Sequence, residues 1–210
     1  MINSFFDKIY CINLEKRKDR LEKCNQEFIK HRLNVDIFKA IDGNSYDTSN
    51  MFVNPTIEKG NVGCVLSHLK IIQDAQHKNY DKILILEDDI IFDNELNKKF
   101  EQYIKELPHD WDMLYFGGNH NFHTGHKLDM ISEHIGKCKL TYTTHSYAIR
   151  NTFFQKVINK FQNITHPVDV LYTQLQSENN IYTFYPGISS QRSGYSDILN
   201  QDIDYSEYIK

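Results

Sequence analysis

The sequence has no apolar run long enough to cross a membrane, and its first fourteen residues, Met1 to Leu14, carry neither a basic start nor a long apolar stretch. No signal peptide or membrane span is expected, so the reading is a cytoplasmic protein with at most peripheral membrane association. Cysteine is scarce and scattered: Cys11, Cys24, Cys64 and Cys138 form no CxxC pair. They read as free thiols in a reducing compartment, not as a disulfide frame or a zinc site. The net charge is only −4, with acids and bases mixed along the chain, which gives no sign of a nucleic-acid partner. There is no Gly-x4-Gly-Lys-Ser/Thr, no GxGxxG and no nucleophile elbow. A P-loop is excluded, a dinucleotide fold is weakened and a Ser/His hydrolase is unpersuasive. Tryptophan occurs once, but 13 Tyr and 13 Phe argue for a folded chain. The 210 residues suffice for one domain, 1–210, with a full core.

What is present centres on one segment. Lys82-Ile-Leu-Ile-Leu runs into Glu87-Asp88-Asp89 and then Ile90-Ile91-Phe92. The apolar run is short and rich in β-branched residues, and reads as a buried strand of a parallel sheet. Ligands of open α/β sheets sit outside the carboxyl ends of the strands. Three carboxylates there are costly to bury unless a cation or donors compensate, and they suit a hard divalent ion such as Mg²⁺ or Mn²⁺ set against substrate phosphates. The plainer alternative is one acid capping the next helix with the others solvated.

The remaining segments alternate in type. Strands are predicted at Lys8–Leu14, Val35–Ala40, Met113–Phe116 and Ile181–Tyr185, with a strand pair or one long strand over Leu140–Ile149. Helices are predicted at Asp19–His31, at Asn61–Lys78, from an Asp93 cap to Leu107, from an Asn151 cap, and at Val168–Glu178. Residues 44–58 read as a polar loop. The alternation predicts an α/β fold with a mostly parallel central sheet.

Several further residues could carry chemistry. Arg17 and Arg20, in the loop after the first strand, could grip a diphosphate with their forked donors, or form a solvated basic turn. Gly63 would let a ligand or another backbone approach closely. On a helical wheel His68 borders the apolar stripe while Ser67 points away, and His68 alone reads as a structural histidine. His120, His123 and His126 would suit a metal only in a helix; a flexible loop facing an acceptor is the preferred reading. Asp169 opens a helix as a cap or as a general base at the sheet rim. The tail Gln191–Ile198 folds over a site as a lid or frays.

In order along the chain, Ile12-Asn13-Leu14 with Arg17, Asp19 and Arg20, Ala40-Ile41-Asp42-Gly43, Gly63-Cys64-Val65-Leu66-Ser67-His68, Ile85-Leu86-Glu87-Asp88-Asp89, Asp110-Trp111-Asp112, Tyr147, Pro167 with Asp169, Gln191 and Ser196-Asp197-Ile198 resemble glycosyltransferase family 25. That family includes lipopolysaccharide, lipooligosaccharide and collagen galactosyltransferases. The resemblance implies a GT-A-like nucleotide-sugar fold, a UDP-sugar donor (usually UDP-galactose), a divalent metal (usually Mn²⁺) and transfer with inversion to a glycan, lipid-linked glycan or protein acceptor. By that resemblance Asp89 and Glu87 would hold the metal. Asp88 would contact the ribose or the donor sugar, and the loop of Asn13, Leu14, Arg17 and Arg20 would lie near the uridine. Asp42, Gly63, Ser67 and His68 would line the donor site. Asp169 is the first candidate for the base, ahead of Asp112, which sits at the wrong end of its strand, and His145, which falls inside a predicted strand. The rival readings are a former transferase that binds without turnover, and a metal-dependent phosphoesterase.

Overall fold

The Lys82–Glu87 run is a central strand of the sheet in the computed structural model, which describes residues 1–120, 127–198 and 201–205. In chain order the elements are α1 (Ile2–Phe5), β1 (Lys8–Asn13), α2 (Lys18–His31), β2 (Asp36–Lys39), β3 (Phe52–Val53), α3 (Lys59–His77), β4 (Lys82–Glu87) and β5 (Ile90–Phe92). They continue with α4 (Leu96–Tyr103), a 3₁₀ turn at Ile104–Glu106, β6 (Met113–Tyr115), β7 (Asp129–Met130), β8 (Ile135–Lys137) and β9 (Ser146–Arg150). The last are α5 (Asn151–Phe161), β10 (Asn163–Ile164), α6 (Val168–Gln176), β11 (Ile181–Phe184), β12 (Ser189–Gln191), β13 (Gly194–Ser196) and β14 (Gln201–Ile203).

Eight strands form one sheet in the order β2-β1-β4-β9-β6-β11-β8-β7. β4 and β6 both run against β9, so they are parallel to each other and to β1, β2 and β11. The sheet is therefore mostly parallel, as expected, with β9 and β8 reversed. The strand period of two explains how the interior of β4, Ile83 to Leu86, is apolar on both faces. Ile83 and Ile85 enter one core with α3, α5 and α6, while Leu84 and Leu86 enter a second with α1, α2 and α4.

Several boundaries differ from the expectations. The stretch at 140–149 yields a strand only from Ser146; Thr143 adopts a positive φ of 72°, which no strand accommodates. His145 thus lies before the strand, not within it. Asp93 does not cap α4: its carboxylate accepts the Glu95 N–H, one residue before the helix starts. Asn151 is the first residue of α5, without a side-chain cap; its N–H is bound by the Asp81 carbonyl. The loop 44–58 contains β3, which pairs with β10. Ser67 is fully buried, because the turn after β2 covers the α3 face opposite the core.

Candidate active site

Several strand ends converge on Glu87-Asp88-Asp89. β1 runs parallel to β4 with Ile12 opposite Glu87, so Asn13 emerges beside Asp88. β9 runs the other way with Ser146 opposite Leu86, so Thr144 and His145 arrive beside Glu87. β12 pairs with β5, Gln191 opposite Ile90, which delivers Gln191 to Asp89.

The three acids have different surroundings. Asp88 has both oxygens committed: Oδ2 accepts from Asn13 Nδ2 at 2.7 Å and Oδ1 from Arg20 at 2.6 Å. Burial pushes its carboxyl up, against the opposing Arg20 charge. Glu87 Oε1 accepts from the Thr144 hydroxyl at 2.6 Å and lies 3.2 Å from His68 Nε2. Burial works against its charge, but His68 and Thr144 hold it below the usual range. Asp89 Oδ2 accepts from Gln191 at 3.0 Å and sits 3.5 Å from Arg20. Its Oδ1 is buried with no hydrogen-bond partner among the described residues. Burial, then the Glu87 charge, push this carboxyl up to about 7, with Arg20 opposing. An orphaned oxygen on a buried acid is a donor open to a cation. The oxygen donors of Asp89 and Glu87 fit a hard divalent ion such as Mn²⁺ or Mg²⁺; Asp88 has no oxygen to spare.

These acids border a cavity of ≈140 Å³. Leu14, Arg20, Ala40, Ile41, Cys64 and His68 form part of its wall, and Ser196, Asp197, Ile198 and Tyr205 close it from the tail. The tail is a short antiparallel ribbon of β13 and β14 that lies back over the sheet edge. Asp197 pairs with Arg17 and lies 3.4 Å from Lys16, and Arg20 donates to the Tyr195 carbonyl at 2.7 Å. The lid alternative is thus the arrangement seen.

The other singled-out residues fall as follows. Arg17 is held by Asp19 and Asp197, while Arg20 spans Asp88, Asp89 and the tail. Asn13 also donates to the Arg17 carbonyl and so shapes the loop between them. Gly63 faces backbone: a Cβ there would come 2.4 Å from the Ile41 carbonyl oxygen. Ser67 Oγ donates to the Gly63 carbonyl and accepts the Ile41 N–H at 2.8 Å. Both residues clamp the turn that forms the cavity wall. Asp42 is exposed and binds Asn44 within its own turn. His68 is fully buried, with Nδ1 2.8 Å from the Tyr147 hydroxyl.

Asp169 sits in the first turn of α6, its Oδ1 accepting the Val170 N–H at 2.8 Å. Burial raises its carboxyl, the Val170 bond opposes, and the Glu87 charge adds to the rise. Asp112 binds the Asn180 N–H at the opposite edge of the sheet, away from the acids. His145 is fully buried, 3.2 Å from Thr143 Oγ1, and burial lowers its pKa to about 4. His120 is also buried, against Thr141; His123 and His126 lie outside the described residues.

Thr144 and Tyr205 had no signal as site residues in the sequence, and Tyr147 only as one position of the family resemblance. Thr144 and Tyr147 reach the acids only because β9 is antiparallel, and Tyr205 only because the tail turns back.

A family model described as "Glycosyltransferase family 25 (LPS biosynthesis protein)" matches residues 6–172. The chain is 30% identical over 176 residues to a procollagen lysyl hydroxylase and glycosyltransferase of Acanthamoeba polyphaga mimivirus, covering 72% of this chain and 19% of that one. It is 26% identical over 129 residues to mouse procollagen galactosyltransferase 2, covering 53% and 21%. It is 27% identical over 129 residues to the human inactive glycosyltransferase 25 family member 3, covering 53% and 22%. The chain spans about a fifth of the length of these relatives. Among solved structures, a glycosyltransferase involved in glycosylation of the major capsid of PBCV-1 overlaps 73% of this chain and 64% of that one, with 11% identity and a TM-score of 0.42. No helix among the described residues is long and apolar enough to cross a membrane. With most of its length matched from Phe6 to Tyr172, the chain belongs to glycosyltransferase family 25.

Proposed function

We propose that the chain is a UDP-sugar-dependent hexosyltransferase, with galactose the favoured sugar, acting on a hydroxyl of a glycan, lipid-linked glycan or protein. The observation that carries the reading is the buried Oδ1 of Asp89, unpartnered among the described residues, at the carboxyl edge of β4, where a bound cation would meet a diphosphate. Asp89 and Glu87 would hold Mn²⁺ or Mg²⁺, and that ion would supply charge stabilisation to the departing nucleoside diphosphate. Arg20 steadies Asp88 and Asp89 and faces the cavity, so it would share the phosphate charge. Arg17 is available to a diphosphate once Asp197 lets go. The cavity of ≈140 Å³ is smaller than the ~300–1,000 Å³ typical of ligand pockets, so the tail ribbon must open to admit a donor.

Inversion requires a base opposite the leaving group, and Asp169 is assigned that part. Its raised pKa suits proton uptake from a hydroxyl. Asp169→Asn is expected to lower turnover at least roughly tenfold with donor binding nearly intact; turnover near wild type removes Asp169 from the role.

The test of the whole reading is hydrolysis of a panel of UDP-sugars, with and without Mn²⁺, by wild type and Asp89→Ala. Selective metal-dependent release of UDP, lost in the variant, supports the transferase and identifies the donor. Absence of Mn²⁺-dependent UDP binding by wild type overturns it. A second reading, donor or glycan binding without turnover, is favoured by the relative whose name marks it inactive. Donor binding with no transfer to any acceptor would select it.

A further inference from the structure

Cys64 and His68 are one helical turn apart on α3 and therefore share a face. That face meets the end of β4, and one ligand atom each from Cys64, His68 and Glu87 lie within 4.8 Å of one another. All three side chains line the cavity.

The surroundings are those of an oriented site. The Tyr147 hydroxyl, itself 3.0 Å from the Tyr172 hydroxyl, engages His68 Nδ1 and turns Nε2 toward Glu87. The Thr144 hydroxyl holds Glu87 Oε1. Partners of this kind fix the ring orientation and tautomer of metal-binding histidines. A cysteine sulfur, an imidazole and a carboxylate that together line a cavity form a donor set for Zn²⁺. The oxygen-only pair of Asp89 and Glu87 selects a harder ion.

We propose that Cys64, His68 and Glu87 form a second cation site, for Zn²⁺ or another thiophilic divalent ion, in the floor of the cavity. Zn²⁺ there displaces the hard cation, because the two sites share Glu87. On binding, the Cys64 thiol gives its proton to solvent and ligates as thiolate, and His68 ligates through neutral Nε2. Only the inhibitory consequence rests on the hexosyltransferase reading; the ion site does not.

Co²⁺ is the probe, added to the full chain. The expected result is a thiolate-to-cobalt charge-transfer band in the near ultraviolet, saturating at one equivalent and bleached by Zn²⁺. It is absent in Cys64→Ser and retained in Asp89→Asn. His68→Gln is expected to weaken Co²⁺ affinity at least roughly tenfold. No band in folded wild type, or a band that persists in Cys64→Ser, overturns the proposal. In the hydrolysis assay, Zn²⁺ is expected to inhibit wild type at concentrations at least roughly tenfold below those needed for Cys64→Ser. Equal inhibition refutes the shared-ligand consequence. Loss of all hydrolysis with the cobalt band intact would remove the donor reading and leave the ion site standing.

Discussion

Replacing Asp89 by Asn should raise stability while destroying metal-dependent donor binding. The Asp89 carboxyl is pushed to about 7 from the usual 3.8, by burial first and by Glu87 next. A folded-state pKa above the unfolded one means that the folded protein holds the proton more tightly. The resulting penalty on the ionised form is absent below about pH 4, grows as pH rises through 7, and is complete above it. That interval corresponds to a ceiling of roughly 4 kcal/mol. Asn keeps the shape and can still accept from Gln191, but forfeits the attraction to Arg20 at 3.5 Å. A net gain of about 2 kcal/mol at pH 8 is expected, or a rise in Tm of roughly 4–8 °C for a chain of this length. The assay is thermal unfolding at pH 4 and pH 8, with and without Mn²⁺. Wild type should gain Tm with Mn²⁺ by mass action, and the variant should not. The gain from the substitution should vanish at pH 4. A fall in Tm at pH 8 in the metal-free variant would refute the reasoning, since it would make Asp89 a needed ion-pair partner rather than a burdened ligand.

Gly63→Ala puts a Cβ 2.4 Å from the Ile41 carbonyl oxygen and 2.6 Å from the Gly43 nitrogen, and both neighbours are backbone. Overpacking of about 3 kcal/mol, less about 1 kcal/mol of helix propensity, leaves a net loss of roughly 2 kcal/mol, checked by urea denaturation; an unchanged midpoint contradicts the close crossing. Asp197→Ala removes the link to Arg17 and Lys16, a partly exposed contact worth about 0.5–1 kcal/mol. Proteolytic nicking between residues 192 and 198 should accelerate roughly 2- to 5-fold with little change in Tm, and unchanged cleavage would show that Asp197 does not latch the ribbon.

Local pattern carried much of the architecture. The β4 run, the 3.6-residue period of α3 and the apolar face of α5 recur in the structure close to their expected bounds, because each signal is set by neighbours in sequence. The stretch 140–149 misled for the same reason. Its composition favours a strand, whereas the turn at Thr143 is imposed by contacts with the end of β4 and α6. The acidic segment was legible as a site because three carboxylates after a buried strand demand compensation wherever the chain goes.

The division of labour among those acids was not legible. Asp88, Asp89 and Glu87 are consecutive, and only the arrival of Asn13 and Arg20, of Gln191, and of Thr144 with His68 makes one saturated, one orphaned and one clasped. Gly63 reads as a ligand contact until the 41–43 turn is placed against it. Cys64 looks isolated because its partners come from another turn of its own helix and from the next strand. By itself the sequence determined the α/β class, the family and the position of the acids, since periodicity and ordered motifs are one-dimensional. Tertiary structure decided which carboxylate oxygen lacks a partner among the described residues, which acids each arginine holds and what covers the cavity, since hydrogen bonding and burial depend on contacts far apart in the chain.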